Sequence, residues 1–141
     1  MPTAGKSTVI PGMRYRDAPA AIEWLCRVLG FSTNLVVPGD GETVLHAQLV
    51  LGDGMVMLGS ERDDAHGELM SVPGPGGKNS QSAYLVVDDP EAVHERAVAA
   101  GAEIVSPLEH PEYGGTFFAC RDPEGHVWNV GSYDPWAEPS T

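Results

Sequence analysis

The strongest constraint on this chain is that it resembles itself. Displaced by 71 positions, Asp17, Pro19, Ala21, Ile22 and Gly30 fall on Asp88, Pro90, Ala92, Val93 and Gly101, and farther along Gly54 and Val56 fall on Gly125 and Val127. A register that runs ungapped from a helix start to a hairpin predicts two copies of one supersecondary unit. Two copies make a pseudo-symmetric domain, since a solenoid needs more repeats.

Each copy parses alike. A short strand, GMRYR or AYLVV, leads into an acidic, proline-marked helix start, RDAPAAIEWLCRVLG or DDPEAVHERAVAAG, that ends in glycine. Asp17 and Asp88 are the expected caps, and Gly30 and Gly101 the stops. In the first helix Ile22, Leu25, Cys26 and Leu29 follow the spacing of one buried stripe, so Cys26 reads as core and not as a nucleophile. A strand and a hairpin follow in each copy, TVLHAQLVLGDGMVMLGS and GTFFACRDPEGHVWNVGS. The predicted fold is therefore α+β, with two tandem βαβββ modules forming a curved mixed sheet around a ligand cavity. We expect one domain over 1–141, with modules at 8–61 and 81–136. The Gly- and Pro-rich segment 62–80 between them reads as an exposed connector, or less simply as a flap over a ligand.

A length of 141 residues, 42% of them hydrophobic, suffices for one domain with a core. No apolar run approaches the roughly 20 residues that cross a bilayer, and MPTAGKSTVI lacks a secretory h-region, so no membrane partner and a cytoplasmic location are expected. Acidic residues outnumber basic ones nine to five in 1–70 and eleven to three in 71–141. Both halves repel phosphate backbones, which argues against nucleic acid. Cys26 and Cys120 are too few for a disulfide scaffold.

The turn Asp-Pro-Glu-Gly suits a three-residue hairpin with a bulge. It sets Arg121 opposite Val127 and Ala119 opposite Asn129, with Phe117 on their face and Phe118, Cys120, Trp128 and Val130 on the other. The same register in the first module puts Ala47, Leu49, Leu51, Met55 and Met57 under the helix. It leaves His46, Gln48, Val50, Val56 and Leu58 on the opposite face, where Arg14 would join them. Polar groups among apolar neighbours are what a small-molecule pocket presents.

Paired βαβββ modules, the opening RDAPAAIEWLCRVLGF and the closing YGGTFFACRDPEGHVWNVGSYD resemble the vicinal oxygen chelate superfamily, which includes glyoxalase I, extradiol dioxygenases and the bleomycin and fosfomycin resistance proteins. The likeness runs from Val9 to Trp136. It implies that metal-dependent members draw ligands from the first and last strands of each module, at positions that fall at or beside Ile10, Leu58, Ser82 and Asn129. None is a strong donor, so no metal and no cofactor are expected. The preferred function is metal-independent binding of a small organic molecule, with Arg14, His46, Gln48, Tyr84, Tyr113, Phe117, Arg121 and Asn129 as the ligand-binding set. The alternative is a divalent-metal-dependent lyase, isomerase or dioxygenase, for which His46 and Gln48 are the one same-face pair of possible ligands. Nucleophilic catalysis lacks any motif. The resemblance also implies a homodimer whose cavities are lined by both modules or by modules from both chains. Tyr133 and Trp136 are its candidate anchors, unless Trp136 folds onto its own domain.

Overall fold

The computed structural model describes residues 4–65, 67–112 and 114–137. Its elements run β1 (Gly12–Tyr15), α1 (Ala18–Trp24), β2 (Ser32–Pro38), β3 (Val44–Leu51), β4 (Gly54–Ser60), β5 (Ala83–Val86), α2 (Pro90–Ala99), β6 (Glu103–Glu109), β7 (Phe117–Arg121) and β8 (Val127–Gly131). This is βαβββ twice over, an α+β fold of two modules. Each makes one four-stranded mixed sheet, in the orders β1-β4-β3-β2 and β5-β8-β7-β6, with β1 parallel to β4 and β5 parallel to β8.

Both helices start on an aspartate. Asp17 accepts the amide of Ala20 at 3.2 Å, but in the second module the cap is Asp89, which accepts the amide of Ala92 at 3.1 Å, and not the expected Asp88. The reason is proline. Pro90 occupies the first helical position, where its fixed φ is pre-set and its missing N–H costs nothing, so the residue before it must be the cap. Helix α1 runs into a π-helical turn over Leu25–Leu29, closed by Gly30 at φ 90° with its N–H on the carbonyl of Leu25.

One core serves both modules. Tyr15, Leu25, Val28, Leu29, Leu49 and Leu58 of the first are buried together with Val93, Phe118, Cys120, Trp128 and Val130 of the second. Phe31 meets Trp128 edge-on at 5.7 Å, and Arg96 Nε donates to the carbonyl of Val28 at 3.0 Å. The helix-facing sides of the two sheets thus pack into a shared interior. Cys26 lies against this core, as its place in the stripe predicted. His94 packs edge-on against Phe118 at 5.0 Å, because the second helix lies over β7.

The second hairpin has the predicted register, with Arg121 opposite Val127 and Ala119 opposite Asn129. The first does not. Leu51 pairs with Gly54, Leu49 with Val56 and Ala47 with Leu58 across a two-residue loop, Gly52-Asp53, with Gly52 at φ 57°. One residue fewer in the turn slides β4 by one and turns every side chain over. Val56 and Leu58 therefore join the core, and Met55 and Met57 stand on the open face. The structural offset is 72 between the helix caps Asp17 and Asp89 and 71 along β3 and β7, and beyond this turn it is 72 again: Met57 corresponds to Asn129 and Gly59 to Gly131.

Asp122 ties the modules together. Its Oδ1 accepts the amides of Glu124 and His126 at 3.0 and 3.1 Å, closing the hairpin loop, while its Oδ2 accepts Trp128 Nε1 at 3.0 Å and the hydroxyl of Tyr15 from β1. Next to this contact, the Glu124 carboxylate accepts the amides of Arg16 and Asp17 at the entry to α1. Burial, with the Asp122 carboxylate beside it, pushes the Tyr15 hydroxyl well above the ordinary phenol pKa.

Candidate functional site

Strand alternation leaves one face of each sheet outside the shared core. On the first sheet that face carries Arg14, Leu35, His46, Gln48, Val50, Met55 and Met57. Gln48 Nε2 lies 3.1 Å from His46 Nε2, and Gln48 Oε1 accepts Asn34 Nδ2 at 2.8 Å. The expected His46 and Gln48 are thus adjacent, and each is the other's partner. Arg14 lies across Gly59, where a Cβ would stand 2.5 Å from Arg14 Nη1.

On the second sheet the open face carries Tyr84, Phe117, Ala119, Arg121, Val127 and Asn129. Tyr84 lies across Gly131 as Arg14 lies across Gly59, its hydroxyl 2.5 Å from where a Cβ would be, and it donates to the carbonyl of Tyr133 at 2.7 Å. Asn129 Nδ2 donates to Ser82 Oγ at 2.8 Å and to the carbonyl of Ala83 at 3.1 Å. Arg121 is held by its own hairpin: Nη1 donates to the carbonyl of Gly125 at 2.9 Å, and Nε lies 3.3 Å from Glu103 Oε2 without hydrogen-bond geometry. Phe117 is half-buried. Tyr113 lies outside the described residues, as does His66.

A cleft of about 530 Å³ opens where the modules meet. Met13 and Arg14 of β1 form one wall, His126 and Val127 another, and the segments Leu69–Pro73 and Lys78–Ala83 the rest. Of the predicted site residues this cleft takes only Arg14. His126 follows the second hairpin loop, its Nε2 donates to the carbonyl of Arg14 at 3.0 Å and its ring packs on Tyr15 at 4.7 Å. The connector also has a structural part that its composition hid. Gly74 N donates to the carbonyl of Glu124 at 3.0 Å, and Asn79 bridges the carbonyl of Gly125 and the amide of Val127, so the segment is fastened along the second hairpin.

The metal-ligand positions implied by the resemblance are chemically poor. With the register corrected, the β4 position is held by Met57, a thioether, while Leu58 is in the core. In the second module Asn129 and Ser82 do meet, but as a hydrogen-bonded pair of neutral groups. Among the described residues no three His, Cys, Asp or Glu side chains converge in a way that could hold an ion. These residues do not fit the divalent metal of the metal-dependent members.

Comparison with known proteins agrees with the fold. The family model of the glyoxalase/bleomycin resistance protein/dioxygenase superfamily matches residues 8–130. The chain is 30% identical over 121 residues to the uncharacterized protein Mb0911c of Mycobacterium bovis, covering 86% of this chain and 80% of that one. The crystal structure of TioX from Micromonospora sp. ML1 superposes with a TM-score of 0.69 at 34% identity, over 89% of this chain and 97% of TioX. Protein PA1353 from Pseudomonas aeruginosa shares the fold at 22% identity, with a TM-score of 0.66 over 89% of this chain and 96% of its own. With the paired βαβββ modules and the match over 8–130, the chain belongs to the glyoxalase/bleomycin resistance protein/dioxygenase superfamily.

Proposed function

We propose that this protein binds a small organic molecule without a metal ion. The observation that carries the reading is what occupies the strand positions where an ion would be held: Met57 on β4, and on the second sheet an Asn129 amide bonded to Ser82. An amide orients a ligand by hydrogen bonding without any ion, and Asn129 Oδ1 makes no hydrogen bond among the described residues. Met55, Met57, Val50 and Phe117 are apolar contact area on the same open faces, while His46, Gln48, Tyr84, Arg121 and Arg14 are polar groups that can fix a ligand's orientation.

The same open faces favour assembly. Leu35, Tyr84 and Val86 stand exposed on them, and Trp136 is 95% exposed and so does not fold back on its own module. A homodimer in which open faces oppose one another would enclose the cavities and cover these side chains. Light scattering tests this: about twice 14.9 kDa is expected, and a monomer would rule the dimer out. A chain ended after Ser132 tests whether the tail takes part, since an intact dimer would exclude it.

Metal content after purification and dialysis decides the chemistry. Substoichiometric nickel, zinc, iron and manganese are expected, and one tightly held equivalent per chain would favour the metal-dependent lyase, isomerase or dioxygenase instead. A thermal-shift screen then tests binding, because a ligand that prefers the folded form raises the melting temperature. If no compound raises it, the binding function fails.

A further inference from the structure

We infer that the cleft at the junction of the modules binds an organic anion, its charged group taken by Arg14 and its apolar body lying on Met70 and Val72. The inference rests on the small-molecule reading above, and adds the place and the charge of the ligand. The cleft's volume of about 530 Å³ lies within the range of small-molecule sites.

Charge is the first argument. The chain holds 20 acidic residues against 8 basic ones, yet among the described residues no Asp or Glu lines the cleft, while Arg14 and Lys78 do. Arg62 is close enough to depress the pKa of Arg14 further, after burial has already lowered it. Asp64 acts in the opposite sense, from outside the cleft lining. A cationic cleft in so acidic a chain concentrates anions against the field of the rest of the surface.

Unspent hydrogen-bonding capacity is the second. Among the described residues the Arg14 guanidinium makes no hydrogen bond and no ion pair, although it is half-buried. Gly59 lets it lie flat on the sheet, and His126 holds its backbone carbonyl, so the side chain is placed but its five donors are not spent. A planar guanidinium in this state matches a carboxylate or a related oxyanion in two-pronged fashion. The third argument is shape. Half-buried Met70 and buried Val72 give the cleft an apolar side suited to a ring or chain attached to the anionic group.

The probes are 2-naphthoate and its neutral isostere 2-naphthamide, titrated calorimetrically into the full chain. We expect one naphthoate per chain, bound at least about tenfold more tightly than the amide, the size of one charge-assisted contact. Arg14→Gln should abolish this discrimination while leaving amide binding unchanged. Lys78→Gln, at an exposed side chain whose loss does not threaten folding, should reduce it about threefold and lower the salt dependence. Arg27→Gln, at an exposed cation outside the cleft lining, should leave naphthoate affinity within twofold. Equal affinity for the two probes, or discrimination that survives both cation variants, overturns the anion site while the small-molecule reading stands. Failure of both probes at millimolar concentration overturns the site as drawn, and the compound screen then decides the broader reading separately.

Discussion

Replacing Tyr15 with Phe should cost about 2 kcal/mol of stability, and the loss should vanish when Asp122 is already Ala. The Tyr15 hydroxyl is fully buried and donates to a buried carboxylate that also receives Trp128 Nε1 and two backbone amides. A hydrogen bond to a charged acceptor contributes roughly 1.5–3 kcal/mol, and Phe preserves the packing. Asp122→Ala strands two buried donors, at about 1–3 kcal/mol each, and opens the hairpin loop, so about 4 kcal/mol is expected. In the double variant the Tyr15 hydroxyl has only the weak Met13 Sδ acceptor, at 3.7 Å, left to lose. Urea unfolding of the four proteins should therefore give a coupling energy of about 2 kcal/mol. Additive losses, or a Tyr15→Phe cost under about 0.5 kcal/mol, would show that this bond does not join the modules. The pH dependence follows from the raised Tyr15 pKa. The folded state holds this proton more tightly than the unfolded chain does, so the advantage over Phe is complete below about pH 10 and declines as pH rises through the folded value.

Two further outcomes are expected. Gly59→Ala should lose about 1–3 kcal/mol, since its Cβ would stand 2.8 Å from the backbone carbonyl of Leu45 as well as against Arg14, whereas Gly131→Ala meets chiefly the movable Tyr84 ring and should lose less; thermal melts rank the two. Burial, with Asp122 nearby, pushes the Cys120 thiol up to about 12, so at pH 8 a disulfide reagent should spare it in the native protein and modify it in guanidinium, with the less buried Cys26 reacting first.

What the sequence made legible was the local and periodic part of this fold. Caps, glycine stops and strand alternation gave the two βαβββ modules and the face assignment of β7 and β8, because each rests on residues within a few positions of one another. The face of β4 was lost to a single turn. GDG read as the counterpart of DPEG, but Asp-Pro-Glu-Gly carries three loop residues and Gly52-Asp53 two, and β4 inherits the difference over its whole length. An internal repeat gave no warning, since Gly54 and Gly125 match in sequence while doing different work. The cleft was illegible for another reason. Its walls come from β1, the connector and the second hairpin, and nothing local ties Met70 or Lys78 to Arg14. The one available signal was His126, whose polar ring after a tight turn needed a partner that only tertiary structure supplies.

The pseudo-symmetry shows where this chain has kept its backbone and changed its chemistry. Gly59 and Gly131 occupy equivalent places, and each leaves the sheet flat so that a long side chain from the neighbouring edge strand can lie across it. One module uses the space for an arginine with no partner among the described residues, the other for a tyrosine fastened to the tail at Tyr133. At the next equivalent pair, Met57 offers only a soft thioether, ill-suited to the hard and borderline divalent ions, and Asn129 spends its donors on Ser82 and Ala83. An ion held at the strand positions of both modules would lack a good donor at Met57, whatever Asn129 does. Recognition of an organic molecule has no such requirement for symmetry. It tolerates a cation on one side, an amide on the other and thioethers between them, and that is the asymmetry these two modules present.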